Sequence, residues 1–440
     1  MRTAFLTRWP PFPPLGGAAM RNWQNINLLR SFGPVDVFAA TRRQFIPAEL
    51  AHPDVVDRLW IEPVADDAGP PQGGATSVFS PPIWLRPFFF ERRVIKAFQR
   101  FIDQVRPDLV VVEELALAPI VLNGLRAHRH VGIPVIYDAH NVESQLWAHM
   151  LTKNQRFGVR SRLWLHTIKT TERRLAERCN RIWVCSEHDR AAFAAHHGAR
   201  HAIDVVNNGL SSEFYAPSSE RERVARDRDF LFLGTYTYKP NEVAARILIE
   251  EIMPRMRQRV PGARLVLVGR GVRPWMQEAA RQDPSLVVTG EVADVRPFLA
   301  SAAAMIVPLT IGSGTRLKIL EAFASRCPVI TTIKGAEGLG AVDETHLLYA
   351  EDPEAFLQQI ERLISEPKLS LSLTNNAYEL FVKTFSWDAI GHSVKASVTS
   401  MGLGPAFREP FTRRSEDIPQ GGGNAPSSRR TVPEKQSSTG

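Results

Sequence analysis

Only three cysteines, Cys179, Cys185 and Cys327, stand in 440 residues, an odd number with no CxxC pair. That scarcity excludes a disulfide framework and a zinc knuckle, and it fits a reducing compartment. No apolar run reaches membrane-spanning length. The opening stretch, MRTAFLTRWPPFPP, lacks a basic segment followed by an uninterrupted apolar one. No signal peptide is expected, and a cytoplasmic chain is. The histidines form no HExxH, and His196-His197 reads as an exposed pair without a role. Gly269-Arg270-Gly271 lacks the third glycine of a dinucleotide fingerprint, and Gly312 to Lys318 has the wrong spacing for a Walker A loop. Asp227-Arg228-Asp229 spells DxD, but it falls between two halves rather than after a strand, so it reads as solvated charge.

What is present is ordinary globular composition, 44% hydrophobic and 23% charged, over a length that suits two domains and a tail. The net charge is +8, of which Pro405 to Gly440 contribute +2. Gln155 to Arg178 holds seven basic residues against Glu172 and Glu177, with Trp164, Ile168 and Leu175 at helical spacing. This is a basic-faced helix, either a solvated outer face or a surface that attracts an anionic membrane or a lipid-phosphate substrate. No recognition module accompanies the charge, so nucleic acid is not an expected partner.

Along the chain, strands alternate with helices. Arg2 to Thr7 reads as a strand, followed by a glycine loop with Gly16 and Gly17, an amphipathic stretch from Ala18 to Ser31, and a strand at Val35 to Ala39. From Ala51 to Pro87 the chain is rich in Pro, Gly, Asp and Ser and reads as a surface excursion. Phe88 to Phe90 read as a packed corner or a membrane-touching wedge. Glu91 to Arg106 is a helix with Val94, Phe98, Phe101, Ile102 and Val105 on one face. Leu109 to Val112 and Val131 to Tyr137 are continuous apolar runs of the kind a parallel sheet buries on both faces. The second ends in Asp138-Ala139-His140-Asn141-Val142-Glu143, where His140 is placed either to contact a ligand or to precede an N-cap by Asn141. Strands are expected again at Arg181 to Cys185 and Ile203 to Val206. A second series opens at Phe230 to Gly234, with a helix at Asn241 to Gln258 and strands at Arg264 to Val268, Leu286 to Val288 and Ala303 to Val307. Alternation at this interval predicts an α/β fold of doubly wound parallel sheets.

The fourth strand of the second series runs into PLTIGSGTRLKILEAFASRCPVI. Gly312, Ser313, Gly314 and Thr315 can bend sharply and leave the first N–H groups of the next helix pointing outward. That is a place for an anion, with Arg316 and Lys318 as nearby cations and Glu321 offering a carboxylate to hydroxyls. Diphosphate plus diol suggests a nucleotide. The competing reading, in which Ser313 or Thr315 caps a turn and Glu321 pairs with an arginine, stands beside it.

With two such halves and this loop in hand, the chain from Arg2 to about Thr399 resembles the GT-B glycosyltransferases of family 4, which are retaining, nucleotide-sugar-dependent enzymes. The most specific mark is GSGTRLKILEAFASRCPVI, supported by VVNNGL, FLGTYTYKPN, YDAHNVE and FSW. The bacterial branch of exopolysaccharide and cell-envelope assembly is the most similar. The resemblance implies two Rossmann-like domains facing across a cleft: an acceptor-side domain over 1–216, a linker over 217–228 and a nucleotide-sugar domain over 229–384. A helix over 385–402 would cross back to the first domain, ahead of a disordered tail over 403–440.

The resemblance also implies roles. Glu321 would hold the nucleotide ribose, Ser313, Gly314 and Thr315 the diphosphate, and Gly16, Gly17 and Gly234 the glycine-lined approach to the donor. His140 would lie near the transferred sugar, and Lys239, Arg316 or Lys318 would stabilise the leaving diphosphate. The family motif commonly carries a second glutamate eight residues before Glu321, where this chain has Ser313, and an arginine where it has Thr235. No metal and no cofactor are implied. The expected activity is transfer from a UDP- or GDP-sugar to a glycan or lipid-linked acceptor, with peripheral contact to an anionic membrane. Two alternatives are a nucleotide-sugar epimerase or hydrolase on the same scaffold and a catalytically silent partner protein.

Overall fold

The computed structural model describes residues 1–8, 10, 17–42, 56–64, 92–126, 132–154, 159–215, 228–312 and 314–403. Gly16, Ser313, Phe88 to Phe90, Asp227, most of the expected linker and the tail beyond Leu403 lie outside them.

Two wholly parallel sheets form the frame. The first contains β1 (Thr3–Thr7), β2 (Val35–Arg42), β3 (Arg58–Val64), β4 (Leu109–Glu113), β5 (Val135–Ala139), β6 (Arg181–Val184) and β7 (Ile203–Val205), in the order β3-β2-β1-β4-β5-β6-β7. The second contains β8 (Asp229–Leu233), β9 (Arg264–Val268), β10 (Leu286–Gly290), β11 (Ala304–Val307), β12 (Val329–Thr331) and β13 (Leu348–Tyr349), in the order β10-β9-β8-β11-β12-β13. The central strands β1, β4, β5 and β11 are buried along their whole length, which is why they read as continuous apolar runs. Each sheet reverses its winding at its centre, between β1 and β4 and between β8 and β11. Such sheets bind ligands beyond the carboxyl ends of the strands at that point.

The helices of the first half are α1 (Gly17–Arg30), α2 (Arg92–Val105), α3 (Ala118–Gly124), α4 (Glu143–Asn154), α5 (Val159–Arg178), α6 (Glu187–His197) and α7 (Ser212–Tyr215). Those of the second are α8 (Lys239–Arg246), α9 (Met253–Arg259), α10 (Pro274–Gln282), α11 (Arg296–Ser301), α12 (Leu317–Ala324), α13 (Pro353–Ser365), α14 (Pro367–Thr384) and α15 (Trp387–Ser400). None of the described helices is long and apolar enough to cross a membrane.

Several sequence expectations are corrected. The surface excursion predicted from Ala51 to Pro87 contains the edge strand β3, paired in parallel with β2 from Asp36↔Arg58 to Arg42↔Val64. Pro63 is tolerated there because the strand has a neighbour on one side only. The single helix expected at Asn241 to Gln258 is α8, a π-helical turn at Ile247–Ile252, and α9. Pro254 at the start of α9 cannot donate to the preceding turn, and the wider turn accommodates its ring. His197 is buried rather than exposed, and its Nε2 lies 2.7 Å from Glu172 Oε2. Glu172, not Asn141, caps α4, accepting from Glu143 N at 2.9 Å and Ser144 N at 3.2 Å. The basic helix α5 therefore turns Glu172, Ile168 and Leu175 inward and leaves Arg162, Lys169, Arg173 and Arg174 in solvent.

Two segments cross between the halves side by side. Leu210 N donates to Phe385 O at 3.0 Å and Trp387 N to Leu210 O at 3.1 Å. A Cβ on Gly209 would lie 2.1 Å from Phe385 O, so only glycine lets the segments approach this closely. Beyond the crossing, α15 packs Ile390, Val394 and Val398 into the core formed by Phe5, Trp23, Ile26 and Trp183. Each buried aliphatic side chain contributes roughly 1.5–3 kcal/mol. The last helix in sequence is thus part of the first core, while Leu210 already belongs to the second.

Candidate active site

The second sheet delivers its parts from β11. Gly312 (φ 122°) and Gly314 (φ 81°) hold the loop in conformations that other residues rarely adopt. The helix that follows, α12, buries Ile319, Leu320, Ala322, Phe323 and Ala324; two residues past its end, Arg326 with φ 53° reverses the chain ahead of Pro328. Its N-cap residue, Arg316, offers no side-chain hydrogen bond to the helix start. The Arg316 guanidinium is buried instead against the loop, with Nη1 donating to Gly314 O at 2.9 Å and Nη2 to Lys334 O at 3.4 Å. Two residues on, Lys318 Nζ donates to Asn241 Oδ1 at 2.8 Å and lies 4.1 Å from the centre of the Phe232 ring. Burial lowers its pKa to about 7, against the pull of Glu321. Glu321 Oε1 accepts from Tyr215 OH at 2.8 Å, and burial holds its carboxyl above the ordinary value.

The first sheet contributes the ends of β1, β4 and β5. The Asp138 carboxylate is fully buried and neutralised by Arg21 of α1, whose Nη2 lies 2.5 Å from Oδ1, with Asn25 Nδ2 donating to Oδ2 at 2.8 Å. Beside it, Glu113 accepts from the Thr7 hydroxyl, which in turn accepts from Asn22 Nδ2 at 3.0 Å. The other Glu113 oxygen, Oε1, has no hydrogen-bond partner and lies 3.4 Å from His140 Nε2, which has none either. Burial raises the Glu113 pKa, with help from Glu114 and Asp138, and burial lowers that of His140. Burial thus disfavours the charged form of both facing groups. Glu114 occupies φ 59°, ψ 148°, a conformation costing about 1–3 kcal/mol for a residue with a Cβ, and its Oε2 accepts from Arg8 Nη1 at 2.9 Å. Glu143, at the start of α4, is pushed up to about 8 by burial and by Glu114 and Glu172. Glu113, Glu114 and His140 bring three possible ligand atoms within 4.8 Å of one another. Arg8 already pairs with Glu114 there, so part of the cluster's negative charge is met within the chain.

The two sets face each other. A Cβ on Gly17, the first residue of α1, would lie 3.7 Å from Leu317 Cδ1, the first residue of α12. Asn208 Nδ2 donates to Thr315 Oγ1 at 2.9 Å across the same gap. Two helix N-termini, one from each half, therefore meet at this point.

The family model described as Glycosyltransferase Family 4 matches residues 15–214, and that described as Glycosyl transferases group 1 matches residues 227–366. The chain belongs to these glycosyltransferases. Solved structures share the GT-B fold. Sucrose-phosphate synthase from Thermosynechococcus elongatus is 16% identical with a TM-score of 0.68, covering 91% of this chain and 99% of that one. Anabaena HepE in complex with UDP is 14% identical with a TM-score of 0.64, covering 91% and 100%. A glycosyltransferase from Rickettsia africae ESF-5 is 11% identical with a TM-score of 0.65, covering 91% and 98%. No curated protein sequence matches the chain.

Within this glycosyltransferase, Gly17 lies beside Leu317, Thr315 is bonded to Asn208, Lys318 to Asn241 and Glu321 to Tyr215, with Arg316 against the loop and His140 beside Glu113. Gly234 lies deeper, where a Cβ would come within 3.0 Å of Asn241 Cγ, the residue that holds Lys318. Lys239 stands at the rim, exposed, with Nζ 3.4 Å from Glu242. The sequence reading passed over Arg8, Arg21, Glu113, Glu114 and Tyr215, and named Glu143 only as the end of the cluster that follows β5. A signal existed for two of them, since Glu113-Glu114 directly follow the apolar run of β4.

Proposed function

We propose that this glycosyltransferase moves a sugar from a UDP- or GDP-linked donor to a hydroxyl of a glycan or lipid-linked acceptor, with retention of anomeric configuration and without a metal or cofactor. The convergence of the α1 and α12 N-termini beside Lys318 and Glu321 carries the reading. The loop before α12 and the Lys318 ammonium receive the diphosphate, since the N–H groups of Leu317, Ile319 and Leu320 already donate to Thr315 O and Arg316 O, and Glu321 receives the ribose hydroxyls. A cation whose pKa lies near 7 when unliganded takes up a proton as the dianionic ligand arrives, so its charge is concentrated on the bound state.

In the transfer, the bond from the anomeric carbon to the diphosphate oxygen breaks and a bond to the acceptor oxygen forms on the same face. The acceptor proton passes to the departing phosphate oxygen, whose developing charge is met by Lys318, Arg316 and the loop before α12. His140, Glu114 and Glu143 line the acceptor side as hydrogen-bonding partners for sugar hydroxyls. HepE, a structural neighbour, is described in complex with UDP-glucose, which favours uridine donors for a first trial. The exposed cations Arg162, Lys169, Arg173 and Arg174 support peripheral contact with an anionic membrane surface on the cytoplasmic side. A place in exopolysaccharide or cell-envelope synthesis belongs to the same reading, and nucleic acid does not.

The test is product analysis by NMR with UDP-glucose and GDP-mannose in chelator, with and without an oligosaccharide acceptor. An α-linked product from an α-linked donor, formed only with acceptor, is expected. A β-linked product overturns retention, and donor conversion without acceptor points to an epimerase or hydrolase.

A further inference from the structure

Asn208 lies on the segment that crosses between the halves, and its position is fixed from several sides. Gly209 follows it, Gly209 N donates to Gln24 Oε1 at 3.3 Å, and Val206 O accepts from Arg21 Nη1 at 2.7 Å. The same Nη1 donates to Asn208 Oδ1 at 2.9 Å. Arg21 itself is held by the buried Asp138 carboxylate, with Nε 3.0 Å from Oδ1 and 3.1 Å from Oδ2.

A guanidinium can only donate, so the oxygen of the Asn208 amide must face Arg21 and its NH₂ must face the other way. That other way is the diphosphate loop, where Nδ2 donates to Thr315 Oγ1 at 2.9 Å. A threonine hydroxyl that accepts from an amide directs its own hydrogen elsewhere. We infer that Asn208 is a positioning residue that orients the Thr315 hydroxyl as a donor to the diphosphate and so ties the donor loop to the acceptor-side domain. The chain Asp138, Arg21, Asn208, Thr315 runs from the end of β5 to the loop before α12. The inference rests on the donor reading above and adds a residue and a polarity to it.

The polarity gives an isosteric test. Asn208→Asp keeps the contact to Arg21 and strengthens it with charge, but it converts Thr315 from donor to the ligand into donor to the new carboxylate and sets a negative charge beside the diphosphate. We expect Asn208→Asp to melt at or above the wild-type temperature and yet to bind UDP or GDP at least about tenfold more weakly by titration calorimetry, the scale of a lost hydrogen bond to a charged group. Thr315→Val is expected to weaken the same nucleotide by a similar factor. The double variant is expected to be no weaker than the weaker single one, because both remove one shared interaction. Nucleotide affinity in Asn208→Asp equal to wild type, or losses that multiply in the double variant, overturns the inference alone. Wild-type protein that binds no nucleoside diphosphate overturns the donor reading, and this inference with it.

Discussion

Lys318 shows how much of the site depends on a single side chain and its surroundings. Its ammonium is disfavoured in the folded chain and ordinary, near 10.5, in the unfolded one, so between about pH 7 and 10.5 the unfolded chain binds more protons. Stability without ligand therefore rises with pH across that window, and Lys318→Met removes the rise in urea titrations at several pH values. Nucleotide affinity runs the opposite way. From pH 7 upward it is expected to fall in the wild type as the ammonium deprotonates, and to stay flat and weaker in Lys318→Met. Arg21 is the structural counterpart: Arg21→Met leaves Asp138 buried without its cation and is expected to cost about 3–5 kcal/mol in chemical denaturation. Glu321, Lys318 and the loop glycines were legible because one continuous stretch carries them directly after an apolar strand. Arg21 was not, since its partner Asp138 lies 117 positions away and polar residues on a helix ordinarily face solvent. On α1, Arg21, Asn22, Gln24 and Asn25 are all buried.

At the scale of elements, the parallel strands were readable wherever both faces are covered, and β9 fell on its predicted residues, Arg264–Val268. The edge strand β3 was missed because half-exposed RLWIEPV has neither a continuous apolar run nor clean alternation. The π-helical turn before α9 was invisible because its cause is the geometry around Pro254, not periodicity. The crossing at Gly209 to Trp387 was legible as two motifs but not as a contact, since their closeness depends on a missing Cβ. Gly209→Ala places that Cβ 2.1 Å from Phe385 O and 2.3 Å from Ile390 Cδ1, so the crossing segments must separate. A loss of about 2 kcal/mol or more, read by thermal unfolding, is expected from overpacking against backbone. Wild-type stability in that variant would show that the segments are not held together there.

At the scale of the molecule, two sheets of the same winding order place their central crevices opposite each other, and the two halves meet between α1 and α12. The alternation of strands and helices made this architecture legible in outline. The carboxylate group at the strand ends of the first sheet was not, because Glu113, Glu114, Glu143 and Arg8 come together only once β1, β4 and α4 are side by side. The account turns on donor recognition at the start of α12. The most direct measurement is thermal unfolding of the full chain with UDP, GDP, ADP and their common sugars, with and without chelator, alongside Glu321→Ala. A native-state ligand at a hundredfold excess over its Kd stabilises by about 2.7 kcal/mol. The account predicts a chelator-resistant rise in Tm for one nucleotide class that disappears in Glu321→Ala. No rise with any of them, or an equal rise in Glu321→Ala, would contradict it.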